Sequence, residues 1–147
     1  MAYKNPLMSS APVPPAQPAG LSADLKAFIQ SDRFPCAGAR SALRLDQVSL
    51  VEGGDFLSDE GDAHIHAALS RFGRDLDPDT MPFKTLVCGF RRCSVMEETT
   101  FETALWARLQ RLHEIDHQRG VPWAANVSPD PASPDFGISI NGVAYFV

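Results

Sequence analysis

"FGISINGVAYFV", residues 136–147, decides what kind of fold this chain can adopt. Two short runs of β-favouring residues flank Asn141-Gly142, the pair that most readily takes the left-handed conformations of a two-residue type I′ turn. The stretch therefore predicts an antiparallel hairpin. Val147 ends the sequence within an apolar run, with no turn or polar residue behind it, whereas natural domains rarely stop on an unprotected strand. The domain is accordingly expected to be incomplete at its C-terminus.

Upstream of the hairpin, the residues from Thr99 to Pro122 carry the strongest helical signal. Thr99 and Glu102 have the spacing of a capping box, Phe101, Leu105, Leu109 and Leu112 recur on one face, and Gly120 followed by Pro122 supplies a stop. A helix over about 100–118 is predicted. "FKTLVCGF", 83–90, is a nearly continuous apolar run and predicts a buried central strand. "QVSLVE", 47–52, alternates as a strand does, and "DEGDAHIHAALSRFGRDL", 59–76, places Ile65, Leu69 and Phe72 at helical spacing. Ser22 as N-cap with Leu25, Phe28 and Ile29 predicts a short helix over 22–31, ending before Pro35. The fold class is then α/β of the α+β kind: a mixed sheet with a C-terminal antiparallel hairpin, packed by about four helices. An exposed sheet edge in such a fold would favour a homodimer.

The remaining organisation is simple. Residues 6–20, PLMSSAPVPPAQPAG, hold five prolines, so 1–20 reads as a disordered Pro-rich tail and 21–147 as a single domain. A chain of 147 residues with 44% hydrophobic and 21% charged residues is globular in composition. Its net charge of −5 opposes nucleic-acid binding, which needs a basic face. No apolar run approaches a membrane span or a signal-peptide core, and three cysteines at 36, 88 and 93 form no CxxC pair. A cytoplasmic protein is expected.

Three stretches together, "RFPCAGARSAL" at 33–43, "FETALWARLQRLHEID" at 101–116 and "PWAANVSPDPASPDFGISINGVAYFV" at 122–147, resemble in order and spacing the YqcI/YcgG family. The resemblance covers roughly residues 20–147. It implies a heme-dependent oxygenase that N-hydroxylates the guanidino group of an arginine-derived small molecule, as the guanitoxin-pathway members do, with an external electron donor. It also implies a further segment past the hairpin, with a histidine-containing motif that would supply an iron ligand from outside this sequence.

A heme site needs an axial donor, cationic partners for the propionates and a sleeve that excludes water. In "RFPCAGARSALR", 33–44, Cys36, Arg40 and Arg44 recur every four residues and share a face if the stretch is helical. They are the candidate cofactor-binding set, with Cys36 as a thiolate ligand. The plainer reading makes Pro35 and Cys36 a helix start, with a small buried cysteine and solvated arginines.

His113 and His117, four apart on the long helix, offer a second candidate ligand in His113, although the helical stripe leaves it at the border of the core. His64 and His66 would face different sides of their helix. Cys88 reads as core, and Cys93 behind Arg91 and Arg92 as a thiol of lowered pKa. The aromatic residues Phe101, Trp106, Trp123, Phe136, Tyr145 and Phe146 read mostly as core. A guanidinium substrate calls for a carboxylate fork. Glu102, Asp116 and Asp130 are the candidates within the matched motifs, although Glu102 has the capping box to serve and Asp130 sits among turn-forming residues. The alternative function is a non-catalytic heme- or small-molecule-binding protein, or an inactive truncated family member. No GxGxxG fingerprint of a flavin or nicotinamide site is present.

Overall fold

Asn141 and Gly142 take φ angles of 53° and 74°, and the predicted hairpin forms around them. The computed structural model describes residues 23–77, 79–80, 83–91 and 95–147. The Pro-rich segment, the expected cap Ser22 and Cys93 lie outside the described residues. Among the described residues four helices and four strands follow in the order α1 (Ala23–Gln30), α2 (Ala37–Arg44), β1 (Val48–Asp55), α3 (Asp62–Arg74), β2 (Thr85–Arg91), α4 (Glu98–Gln118), β3 (Ile138–Ile140) and β4 (Val143–Tyr145). This is an α+β fold in which strand pairing is mixed.

The mixture is divided between two pairs. β1 and β2 run parallel, in register from Val48 opposite Thr85 to Glu52 opposite Gly89. The α3 crossover between them makes a βαβ unit, the connection a parallel pair requires. β3 and β4 form the antiparallel hairpin, with Ile140 opposite Val143 beside the turn. Among the described residues β2 pairs with β1 alone and its residues 85–90 are half-buried, so the expected buried central strand lies at the side of a two-stranded pair.

A bulge interrupts the parallel ladder where β1 leaves it. Between Glu52 and Asp55 the register slips by one residue against β2. Gly54, at φ 74°, takes a backbone conformation that side chains disfavour, and Gly53 passes so close to the Phe90 ring that a Cβ there would overlap it. β1 therefore bends at its carboxyl end and delivers Asp55 into the loop that leads to α3.

The core is built where α3, α4 and the hairpin meet. Ile65, Leu112, Ile138 and Ile140 form its buried centre, with Leu69, Cys88, Phe90, Leu109, Phe136 and Tyr145 packed around them. Ile29, Ala39 and Ala42 bury the inner faces of α1 and α2, and α2 packs on both β1 and β2.

The long helix differs from its expected form in two ways. It begins at Glu98 with Glu97 as N-cap and no side-chain cap bond, so Thr99 lies inside the first turn and the capping box with Glu102 does not form. The Thr99 carbonyl instead accepts from the Thr103 hydroxyl at 2.8 Å. Its buried residues are Arg108, Leu112 and Asp116, spaced by four, so the face turned to the core carries two charges. The predicted stop is present: Gly120 at φ 68° donates to His117 O and Val121 to Asp116 O, which together close the helix as a Schellman motif.

Several aromatic residues expected in the core are at the surface. Phe101 and Trp106 are exposed on α4, and Phe146 is fully exposed beyond β4. Phe101 stacks on the buried Phe56 at 5.1 Å, and Trp106 leans on Phe136 at 5.8 Å.

Candidate functional site

A cleft of about 690 Å³ opens between β1 and α3. Because α3 begins where β1 ends and runs back along it, the cleft has two chemically distinct ends. At the carboxyl ends of the strands stand Glu52, Asp55 and Glu60, beside Gly54 and Gly61; Arg91 closes on Glu52 as an exposed ion pair. At the other end stand Arg71, Lys84 and Asp75. Leu50, Val51, Leu86, Ala68 and Phe72 supply the apolar wall between them. In open α/β arrangements ligands bind outside the carboxyl ends of parallel strands, which is where the acidic end lies.

Local chemistry holds each end in place. Lys84 donates from Nζ to Asp75 O at 3.1 Å, and its ammonium sits 4.9 Å from the centre of the Phe72 ring. Gly61 has φ 86°, and a Cβ on it would lie 2.5 Å from Gly53 O, so the loop leaving β1 is drawn tightly back onto the strand. Asp55 Oδ1 accepts from Leu57 N at 2.9 Å, which turns the chain immediately after the strand.

Behind the acidic end lies Arg108, 2% exposed. Its Nη1 donates to Asp62 Oδ1 at 2.5 Å and Glu60 O at 3.4 Å. Nη2 donates to Asp55 O at 2.6 Å, Phe56 O at 3.1 Å and Ser58 O at 2.6 Å. Arg111 adds Nε to Asp62 Oδ2 at 2.6 Å and Nη2 to Ser58 O at 3.0 Å. A buried guanidinium is tolerated when its charge and most of its donors are matched, and here one carboxylate and four carbonyls take up the two Nη groups, while the buried Nε has no partner among the described residues. The Phe90 ring lies 4.8 Å from its central carbon.

The site residues predicted from sequence fall elsewhere and are not brought together. Cys36 is the N-cap of α2: its Sγ accepts from Ala39 N at 3.4 Å, and the residue is exposed rather than buried. Arg40 and Arg44 follow it on α2, and none of the three lines the cleft or the smaller apolar cavity of about 210 Å³ beside Trp106 and Phe146. Glu102 is exposed on α4 and Asp130 on the loop before β3, where its Oδ1 accepts from Ala132 N at 2.9 Å. Asp116 is buried and fully engaged: Oδ1 lies 2.5 Å from His66 Nε2, and Oδ2 accepts from Asn141 N at 2.6 Å. At 2% exposed it lines neither cavity.

The histidines and thiols divide as follows. His113 lies edge-on to Trp123 at 4.7 Å, and neither its Nδ1 nor Trp123 Nε1 has a hydrogen-bond partner among the described residues. It lines neither cavity. His117 is exposed beside Glu114. His64 lines the cleft while His66, two residues on, is buried, so the two do face different sides. Burial pushes the Cys88 thiol up to about 11, against the opposing charge of Arg108, and this fits its place beside the core. Among the described residues no three His, Cys, Asp or Glu side chains are grouped to hold a metal ion. No helix among them is long and apolar enough to cross a membrane.

Heme can be tested against these donors. The Cys36 thiol caps a helix at the surface, and neither it nor Arg40 nor Arg44 lines either cavity. The cleft offers one imidazole, His64, but four carboxylates and a rim of exposed charges surround it. These charged groups stand at the two ends of the cleft, with the apolar wall of Leu50, Val51, Leu86, Ala68 and Phe72 between them.

Sequence reasoning missed the cleft, and two signals for it were present. Glu52, Asp55, Asp59, Glu60 and Asp62 crowd the junction of a strand and a helix around three glycines. Arg108 stands three after Leu105 and four before Leu112, inside the apolar stripe, where a cation needs a partner.

A cleft between β1 and α3, one end of which lies at the carboxyl ends of a parallel pair, within an α+β domain, is the feature that the fold sets out. The YqcI/YcgG family model matches residues 25–147, and the chain belongs to that family. No curated protein and no solved structure matches it.

Proposed function

We propose that the protein binds a small guanidino compound in the β1–α3 cleft, with the guanidinium at the Glu52, Asp55 and Glu60 end and an anionic group toward Arg71 and Lys84. The observation that carries this reading is the division of one cleft into an acidic and a basic end across an apolar wall. A guanidinium presents paired N–H donors in a plane, and carboxylates accept them two at a time, which fixes orientation as well as charge. The basic end would then select ligands that also carry a carboxylate, as an arginine derivative does. The apolar wall of Leu50, Val51 and Phe72 suits the methylene chain between the two groups.

The resemblance to heme-dependent N-hydroxylases makes such a ligand the substrate of an oxygenase that draws electrons from an external donor. Heme, when bound, would supply the activation of oxygen. Within this chain the cleft residues would bind and orient the guanidine, and heme enters the reading through the family alone. The same cleft would equally serve a non-catalytic binding protein, and a hemin titration separates the two: a Soret band perturbed by the guanidino ligand supports the oxygenase, and ligand binding without one supports the binding protein.

The test of the common reading is a calorimetric titration with L-arginine and with L-citrulline, which has nearly the same shape but a neutral ureido group. Binding of arginine well above citrulline is expected. Equal affinities, or none for arginine, would overturn the assignment of the acidic end.

A further inference from the structure

Four carbonyls within a six-residue stretch, those of Asp55, Phe56, Ser58 and Glu60, converge on one guanidinium. We propose that Arg108, assisted by Arg111, is the positioning residue that sets the acidic end of the cleft and its preference for a guanidinium over a primary amine. The proposal rests on the guanidino reading of the cleft. Neither arginine lines the cleft; both act through the loop between β1 and α3.

The physical argument begins with the loop itself. Phe56 is buried but Leu57 is exposed, so apolar burial anchors the loop at one point only. Its turns are otherwise held by short local bonds, such as Ser58 N to Asp55 O at 3.4 Å and Glu60 N to the Ser58 hydroxyl at 3.1 Å. Arg108 supplies the common centre. Curling the carbonyls inward around it leaves the Asp55 and Glu60 side chains to line the cleft. Asp62 then locks α3 to the same centre through both arginines.

The consequence for specificity is geometric. A planar guanidinium needs carboxylate oxygens at fixed separation and orientation, whereas an ammonium is a compact charge that tolerates variation in both. Loosening the loop should therefore weaken a guanidino ligand more than an amine of similar length.

The test uses the full chain with Arg108→Lys and the rim variant Arg111→Gln, titrated with L-arginine and L-lysine and followed by amide hydrogen exchange. In both variants protection over residues 55–61 is expected to fall by about tenfold or more, while α1, α2 and the hairpin keep theirs. Arginine affinity is expected to fall by about tenfold, and lysine affinity by less than about threefold. Wild-type protection over 55–61 in Arg111→Gln, or an equal fall for both ligands, overturns the proposal; should Arg108→Lys fail to fold, Arg111→Gln decides. A wild-type chain that binds neither ligand contradicts the guanidino reading, and the exchange comparison still decides whether Arg108 positions the loop.

Discussion

Asp116 Oδ1 lies 2.5 Å from His66 Nε2, and the two side chains are each 3% exposed. The second oxygen of the same carboxylate accepts from Asn141 N at 2.6 Å, and its backbone carbonyl accepts from Val121 N. One residue of α4 therefore ties α3, the hairpin turn and the end of its own helix together. Removing one member of a buried hydrogen-bonded pair leaves the other unsatisfied, which typically costs about 1–3 kcal/mol. Asp116→Ala is expected to lose stability in that range by urea denaturation, and Asp116→Asn less, because an amide oxygen can still accept from Asn141. A loss below about 1 kcal/mol for the alanine variant would show that the tie carries little.

Gly61 makes a sharper structural prediction. Its φ of 86° and the 2.5 Å approach of a Cβ to Gly53 O both oppose any side chain. Gly61→Ala should destabilise by about 1–3 kcal/mol and disturb the acidic end of the cleft together with the bulge in β1. A variant as stable as the parent, with the loop amides equally protected, would contradict the tight return of this loop.

Alkaline pH should weaken the fold in a defined window. Burial raises the Cys88 thiol from 9.0 to about 11 and the Tyr145 hydroxyl, which donates to Leu69 O at 2.7 Å, from 10.0 to about 12. Both groups are neutral when protonated, so between the unfolded and folded values the unfolded chain holds fewer protons than the folded one. Stability then falls as pH rises, from about 9 through about 12. Urea midpoints measured across this range should decline, and Cys88→Ala should flatten the lower part of the decline. A flat profile in the parent would be inconsistent with the burial of both groups.

Cys36 should behave as a cap and nothing more. Serine is a better N-cap than cysteine, so Cys36→Ser should leave stability within about 1 kcal/mol of the parent. Alkylation at neutral pH should label the exposed Cys36 quickly and Cys88 slowly. An altered hemin spectrum in Cys36→Ser would restore the thiol to a ligand role.

What the sequence made legible was local. Asn141-Gly142 specified its turn, Gly120 and Pro122 the end of α4, and the apolar spacing of Ile65, Leu69 and Phe72 the helix α3. Those signals depend on neighbours within a few residues. The site depends on residues brought together over distance: Arg108 meets Asp62 and the carbonyls of 55–60 across about fifty positions. Glu102 and Asp116 sit in family motifs, but motif position says nothing of direction. Asp116 points into the core and Glu102 to solvent. Thr99 matched a capping box by spacing, yet the helix begins one residue before it, and that one residue changes what a side chain can cap.

The most direct test of the account is the affinity of the full chain for L-arginine in the parent and in Asp55→Asn/Glu60→Gln, measured by calorimetry at low salt. Each substitution keeps side-chain size and removes a negative charge from the acidic end. The account predicts one site in the parent and loss of most of the affinity in the double variant, with Cys36→Ser and Glu102→Gln binding as the parent does. Undiminished binding in Asp55→Asn/Glu60→Gln, or loss of binding in Glu102→Gln, would contradict it.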